Sequence, residues 1–576
     1  MRSEITLSLF CLFIPAFVFS QLSIDWASNF GGDHNGRGLS IKSDDAGNIY
    51  TSGYFEGTFD FDPGPGTYNM VSHGSYDAFI TKQSPTGALI WVKTLGGLYE
   101  DVPLSMDVDE AGNIFVTGFY SDTVDFDPGP GITQLCSGGW SHQEVFVCKF
   151  TNAGHLFWAK TFESPGGTNH GVCLKIDSSD NIYLTGSYAG TTNLEPSTPG
   201  FDVSGGTIFI CKIDSTGMTQ WVKTFEGLGS GSTTPYSLTL DPDGNVYTTG
   251  TLSGTIDFDP GPGTANESSG AVYFDIYVSK LDNNGNFKWV KKFDNTDQAF
   301  PYSIAADGNG SVVTAGVFVG DIDLDPGPLG DHHTGTSGSA QNFFLSKLDL
   351  NGNFQWGKGI SSSIGDLIGQ AVVIDSAYNI YATGSIWGSA DFDTGPGTDM
   401  CTSSGDFDVF VSKFDGWGNF QWVRAIGDPG PKRSMAGNMS VKNGKLYLTG
   451  YFNNDCDFDT DTTTYLLTSS LGTYDIFSAQ YDCPVITGTT LANNNLSALI
   501  VPNPSDGYFS LKLKTLSSGD FNLSIYSIEG KLLEQFKAEF RNENSPAFDV
   551  SGLCNGVYFV VIDADRSKAL KLVISR

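Results

Sequence analysis

Two aspartates flanking a phenylalanine recur along this chain, each time ahead of prolines and glycines. Asp-Phe-Asp-Pro-Gly-Pro-Gly runs over 60–66, 125–131 and 257–263. Altered copies stand at 323–328 (Asp-Leu-Asp-Pro-Gly-Pro), 391–397 (Asp-Phe-Asp-Thr-Gly-Pro-Gly) and 457–461 (Asp-Phe-Asp-Thr-Asp), and Asn-Leu-Glu-Pro replaces the phrase at 193–196. On an extended strand, residues two apart face the same side. The paired carboxylates are Asp60 with Asp62, Asp125 with Asp127, Asp257 with Asp259, Asp323 with Asp325, Asp391 with Asp393, and Asp457 with Asp459. Their chemistry has two readings. In one, the carboxylates accept hydrogen bonds from loop amides while Pro and Gly shape the turn. In the other, the pairs hold Ca²⁺, with loop carbonyls and water as further hard oxygen ligands. Calcium is the one cofactor this sequence offers, and no copy has the acidic run with a distal Glu of an EF-hand loop. Paired carboxyls also serve glycoside hydrolysis. A catalytic pair should be unique, however, and these recur. The chain has no His-Glu-x-x-His, no phosphate-binding Gly-rich loop ending in Gly-Lys-Ser/Thr and no Cys/His nucleophile signature, and its seven histidines do not repeat. The expectation is a non-catalytic protein; the alternative is a secreted carbohydrate-active or other hydrolytic enzyme.

Two further markers count the repeat that carries these acids. One is a glycine after Thr, Ser or Ala, at Gly53, Gly118, Gly186, Gly250, Gly316, Gly384 and Gly450, in steps of 64 to 68 residues. The other is a tryptophan, at Trp26, Trp91, Trp158, Trp221, Trp289, Trp356 and Trp422. A fixed period of this length signals a repeat architecture. Within the copy at 236–293, four alternating runs are separated by Pro-Asp-Gly-Asn, the acidic phrase and Asn-Asn-Gly-Asn. Alternation bounded by such turns is the strand and hairpin signal. Four strands per repeat, arranged radially, make a β-propeller. The spacing predicts an all-β chain: a seven-bladed propeller over 21–484, then a linker over 485–498 and a small Ig-like β-sandwich over 499–576. The first Trp precedes the first complete repeat, and the last repeat lacks a Trp strand. The segment Ile24–Phe30 is thus expected to supply the outer strand of the last blade, which removes an open sheet edge.

Composition sets the compartment. Residues 1–20 combine Arg2 with an apolar run over 5–19 and small residues before Gln21, the pattern of a cleaved export signal. That stretch is too short to demand a spanning helix, and no transmembrane segment is expected in the mature chain. Eight cysteines remain after cleavage, out of phase with the repeat, so one or two disulfides are open but no repeated framework is. The net charge is −33, and residues 499–576 balance nine Lys/Arg against nine Asp/Glu, so the repeat region is the acidic part. Such a surface excludes nucleic acid and anionic membranes as partners.

The last eighty residues carry four spaced motifs. They are Pro502-Asn503-Pro504 with Gly507 and Phe509, Ile525-Tyr526 with Gly530-Lys531, Leu553 with Gly556-Val557-Tyr558, and Lys571-Leu572-Val573. In this order they resemble the C-terminal sorting domain, type A, of the bacterial type IX secretion system. The resemblance implies a Bacteroidetes-type source, passage through the periplasm and over the outer membrane, and engagement of the secretion machinery by Pro502, Asn503, Pro504, Gly507, Gly530, Lys531, Gly556 and Tyr558. The cargo is then released or held at the surface. The repeats, through Asp45-Ala46-Gly47-Asn48-Ile49-Tyr50 and Asp243-Gly244-Asn245-Val246-Tyr247, resemble SBBP-type bacterial β-propeller repeats. That resemblance implies a fold and little about activity. Three tryptophans fall outside the repeat phase: Trp140, Trp387 and Trp417. Loop aromatics of this kind pack locally or stack on sugars or peptides. A recognition, adhesion or scaffold role is expected, with an extracellular glycan or protein as ligand.

Overall fold

The computed structural model describes residues 22–483 and 498–574, apart from 165–166, 196–199, 271–272, 337, 396, 428–432, 461–463 and 471 in the first stretch and 502–507, 514–517, 527–531, 542–547, 554–555 and 563–568 in the second. Among the described residues every regular element is a strand, and no helix is long and apolar enough to cross a membrane. The chain divides into two compact units, 1–484 and 485–576.

The first unit repeats one sheet. Gly36–Ser43, Ile49–Phe55, Asp77–Gln83 and Leu89–Leu95 pair antiparallel in chain order. The same order joins Val102–Val108, Ile114–Ser121, Gln143–Phe150 and Leu156–Thr161. It recurs from Ala299–Ala306 to Phe354–Ile360 and from Leu367–Ile374 to Phe420–Ile426. Between these, Thr219–Leu240 is one long strand that ends one four-stranded set and begins the next. Ser434–Lys442, Lys445–Phe452 and Asp475–Asp482 take their fourth strand from the other end of the unit, where Ser23–Gly32 pairs with Asp475–Asp482.

Burial follows position in the sheet. Every residue of Asp77–Gln83 is buried, and all but one of Ile49–Phe55, whereas Leu89–Leu95 is partly exposed. Strands covered on both faces read as near-continuous apolar runs. One core cluster unites Phe115, Val145 and Val147 with Leu174, Leu184 and Phe209 of the next sheet, so the core lies between successive sheets. Each first strand lies beside the first strand of the following sheet, and Ser434–Lys442 lies beside Gly36–Ser43.

The repeat markers have structural causes. A first strand shifts register by one residue near its middle, between Gly38 and Ser40 in the first sheet. Such a bulge turns a carbonyl against the neighbouring strand. A Cβ on Gly53 would lie 1.9 Å from the Arg37 carbonyl oxygen, and one on Gly118 would lie 1.9 Å from that of Val102. Only glycine fits there. The tryptophans join sheets: Trp91 Nε1 donates to the Asn152 carbonyl at 3.2 Å, Trp158 to Ser215 at 3.3 Å, and Trp289 to Leu350 at 3.1 Å. Trp26, from the borrowed strand, donates to Pro85 at 3.0 Å.

The second unit has a three-stranded sheet of Ala498–Val501, Tyr508–Leu513 and Phe548–Asp549. Its four-stranded sheet orders Leu532–Arg541, Ser518–Tyr526, Gly556–Ile562 and Ala569–Ile574. Leu523, Ile525, Phe548, Val550, Tyr558 and Val560 are among its buried residues.

Candidate functional site

The acidic phrase forms the hairpin between the second and third strands. Thr58–Asp60 pairs with Asn69–Val71, and the turn runs between them. Asp60 Oδ1 accepts the amides of Asp62 at 3.0 Å and Tyr68 at 2.7 Å, while Asp62 Oδ1 accepts that of Gly64 at 2.8 Å. Asp125 and Asp127 repeat this with Asp127, Thr133 and Gly129, and Asp257 and Asp259 with Asp259, Ala265 and Gly261. The altered copies keep the bonds: Asp323 to Asp325 and Asp331, Asp391 to Asp393 and Asp399, Asp457 to Asp459 and Tyr465. The intervening apolar residue is core: Phe61, Phe126, Leu194, Phe258, Leu324, Phe392 and Phe458 are all buried. Phe61 packs on Phe79 of the third strand at 5.1 Å between ring centroids, and Phe126 on Phe146 at 5.1 Å. Among the described residues no group of three or more His, Cys, Asp or Glu stands together as a metal cage.

Antiparallel order puts the second-to-third connections at one end of the sheets and the other hairpin turns at the opposite end. The acidic phrases, Trp140 and Trp387 therefore share an end. Trp417 sits at the other, in the turn where its amide donates to Asp415 Oδ1 at 2.9 Å. Trp140 is 70% exposed and lines a 240 Å³ pocket with Tyr99, Glu100 and Gln143. Trp387 is 47% exposed and leans on Phe407 at 6.2 Å.

The end that carries the phrases also holds half-buried aromatics at the starts of the first strands and just after the marker glycines. The Arg37 guanidinium lies 4.6 Å over the Tyr451 ring, which meets Tyr474 at 5.2 Å. Tyr54 packs on Tyr76 at 4.8 Å, Phe119 stacks on His170 at 4.4 Å, and Tyr236 meets Tyr302 at 5.7 Å. Burial pushes the hydroxyls of Tyr54, Tyr236, Tyr302 and Tyr451 up, and burial pushes His170 down, so these rings stay neutral. Sequence reasoning missed this group. Its trace was the aromatic after the marker glycine in three repeats: Tyr54, Phe119 and Tyr451.

At the opposite end every first strand but the last, Ser434–Lys442, stops at a capping aspartate. Asp241 Oδ1 accepts the Asn245 amide at 2.9 Å, and Asp241 Oδ2 accepts Asn245 Nδ2 at 2.8 Å and the Tyr247 hydroxyl at 3.0 Å. A lysine of the third strand, Lys280, lies 3.5 Å from that carboxylate and 4.7 Å over the Tyr247 ring. Asp44, Asn48 and Tyr50 repeat the arrangement, which is the physical content of the Asp-x-x-Gly-Asn-x-Tyr motif. A cavity of 470 Å³ opens here along Ile176, Asp177, Leu240, Asp241, Ala306 and Asp307.

The remaining expected residues fall as follows. Gly556 opens a strand and Tyr558 is buried in the second unit. Pro502, Asn503, Pro504, Gly507, Gly530 and Lys531 lie outside the described residues, as do residues 1–20 and all of the 485–498 segment but its last residue. The seven described cysteines are free thiols, and Cys148 and Cys211 are fully buried strand residues.

Comparison with known proteins finds a family match to one segment in each part of the chain. Residues 499–576 match the secretion system C-terminal sorting domain, and residues 220–251 match the β-propeller repeat SBBP. An uncharacterized WD repeat-containing protein of Acanthamoeba polyphaga mimivirus is 24% identical over 477 residues, covering 69% of this chain and 34% of that protein. The chain thus spans about a third of the length of that relative. A crystal structure of a protein of unknown function from Dyadobacter fermentans aligns with a TM-score of 0.34 and 11% identity, over 81% of this chain and 100% of that one. A gluconolactonase from Xanthomonas campestris gives 0.28 and 11%, over 68% and 90%. Prolyl oligopeptidase B from Galerina marginata gives 0.32 and 9%, over 85% and 56%. These likenesses are too distant to transfer an activity. The chain joins an SBBP β-propeller repeat, over residues 220–251, to a C-terminal sorting domain, and that domain implies export through the type IX secretion system.

Proposed function

We propose that residues 21–484 form a seven-bladed β-propeller and residues 499–576 an Ig-like sandwich. The exported protein then recognises a glycan or a protein at the cell surface rather than catalysing a reaction. The ring reading is supported by the first strands lying side by side, last against first, and by Ser23–Gly32 serving as the fourth strand of the final sheet. The recognition reading rests on one observation, the aromatic and Arg37 group at the end that carries the acidic phrases. Half-buried rings offer flat apolar faces at low conformational cost, and Arg37 adds a directional donor.

A glycan array and surface pull-down with the mature protein test this. Binding that falls at least tenfold in Tyr54→Ala, or in Trp140→Ala or Trp387→Ala at the same end, supports recognition. A silent array and pull-down leave a scaffold. Hydrolysis of a polysaccharide panel would instead favour the enzyme reading.

Calcium at the aspartate pairs is a separate proposal. The pairs Asp60/Asp62, Asp125/Asp127, Asp257/Asp259, Asp323/Asp325, Asp391/Asp393 and Asp457/Asp459 would bind it through carboxylate oxygens beyond the Oδ1 atoms that hold the loop amides. A melting temperature that is the same in millimolar Ca²⁺ and in EDTA ends it.

A further inference from the structure

The 240 Å³ pocket at the end that carries the acidic phrases lies between the first two sheets. Ser75, Tyr99 and Glu100 line it from the first sheet and the link that leaves it, and Ser121, Trp140 and Gln143 from the second. Internal hydrogen bonds hold its frame. The Asp101 carboxylate accepts the Gly97 amide at 2.7 Å and the Ser121 amide at 3.2 Å. The Asp101 amide donates to the Tyr76 carbonyl at 2.8 Å, so the link bearing Tyr99 and Glu100 is fixed at both ends. The Ser137 hydroxyl donates to the His142 carbonyl at 2.8 Å across the turn bearing Trp140, and His170 Nε2 lies 2.8 Å from Gln143 Oε1.

The groups at the pocket's mouth are unpartnered. Trp140 and Tyr99 are exposed, and neither packs on another aromatic ring among the described residues. No described residue pairs with the Glu100 carboxylate or the Trp140 indole N–H. Glu100 is the one charged residue of the lining, and segments 72–77, 96–101 and 134–144 contain no Lys or Arg. The neighbouring acids are engaged elsewhere: Asp77 with His73, Asp101 with the two amides, and Glu144 with the Ser164 amide and Asn169 Nδ2.

Two other aromatic groups at this end already hold a cation. Arg37 lies over Tyr451, and Arg433 lies 4.7 Å over the Phe407 ring and 3.8 Å from Asp406 Oδ2. Arg433 stands just before a first strand, where Asp101 stands in the second sheet. Trp140, Tyr99 and Glu100 offer the same pairing of ring and acid, and the chain supplies no cation to it.

We propose that this pocket binds a quaternary ammonium group, as carried by choline. The proposal rests on recognition by this end of the sheets and names a ligand class for it. Ring faces attract a cation, most strongly where water is excluded, and quaternary ammonium groups are bound in aromatic cages. A primary ammonium has three N–H donors to place. A quaternary one has none, which suits a lining whose Gln143 Oε1 is already engaged.

Calorimetric titration of the mature protein with choline tests this. The controls are 3,3-dimethylbutan-1-ol, the neutral isostere with carbon in place of nitrogen, and glucose. Saturable choline binding, about tenfold weaker binding of the isostere and no glucose binding are expected. Trp140→Ala should weaken choline about tenfold. Glu100→Gln should weaken choline several-fold and leave the isostere unchanged, a split that a merely structural role would not give. Tyr99→Ala replaces Trp140→Ala if the melting temperature shows that the latter does not fold. Glycerophosphocholine and trimethyl-lysine, titrated alongside, separate a headgroup source from a peptide source, and binding of either supports the site. Isostere or glucose binding as tight as choline, or choline affinity unchanged in the Trp140 and Glu100 variants, overturns the proposal. No choline binding, with a glycan array or pull-down that still responds to Tyr54→Ala, overturns this proposal alone. No choline binding beside a silent array and pull-down ends both.

Discussion

Asp60 works as an acceptor for amides that the hairpin turn leaves unpaired. Its Oδ1 takes two backbone donors, and Asp62 takes a third. The second oxygen of Asp62 then fills the space where a side chain on Gly66 would begin, since a Cβ there would lie 2.2 Å from it. Asp60→Ala should therefore cost about 2 kcal/mol, for two amides left without their acceptor. Asp60→Asn, which keeps one oxygen, should cost under about 1 kcal/mol. Urea unfolding of the mature protein measures both. Gly66→Ala should destabilise as Asp60→Ala does, through the clash with Asp62. The pairing of the acids was legible in the sequence, because residues two apart on a strand share a side. The amides they serve were not, because those donors come from the turn geometry.

Strands are joined into sheets by local hairpins, but the sheets are joined to each other by side chains. Trp91 is the clearest joint: its ring packs at 6.4 Å from Tyr50 of its own sheet, and its Nε1 reaches the Asn152 carbonyl of the next. Trp91→Phe removes the hydrogen bond and keeps most of the packing, so a loss of about 1 kcal/mol is expected in urea unfolding. The marker glycine is less forgiving, because its neighbour is backbone. Gly53→Ala drives a Cβ into the Arg37 carbonyl, and overpacking of this kind costs about 1–3 kcal/mol. The periodic Trp and Gly were visible in the sequence as markers of a repeat. Their partners were not, since the glycine's lies on another strand and each tryptophan's in a turn of another sheet.

For the whole molecule, the borrowed strand and the buried acids set stability. A protein starting at Asp33 would lose Ser23–Gly32 and uncover the edge of Asp475–Asp482. Exposed edges pair with other chains. Aggregation on a sizing column, absent in the intact chain, is the expected outcome. Stability should also depend on pH. Burial lifts Asp475 to about 6, Glu144 to about 7 and Asp101 to about 8. A carboxyl whose folded pKa exceeds its unfolded value of about 4 binds protons more tightly when folded. Its contribution is fully present below the unfolded value and is lost as pH rises through the folded one. The melting temperature should fall between pH 5 and pH 8 by these groups' titration. Asp475→Asn should raise it more at pH 8 than at pH 5, because one Asp475 oxygen faces Gly31 with no donor.

The sequence by itself determined the repeat, its strand count per copy and the export tail. These rest on spacing along the chain: alternation for strands, fixed turn residues, and the order of motifs in 499–576. Only the tertiary structure decided which distant residues meet. It laid Arg37 over Tyr451 and set Lys42 against Asp107, residues from different repeats and far apart along the chain. The physical reason is that a first strand touches the first and second strands of the neighbouring sheet. A repeat read one copy at a time shows which residues lie on those strands but not which of them face each other. The acidic phrase looked like the place for chemistry, but its Oδ1 atoms are taken up by loop amides. The side chains that differ from copy to copy are where the fold leaves charge and aromatic surface free to act.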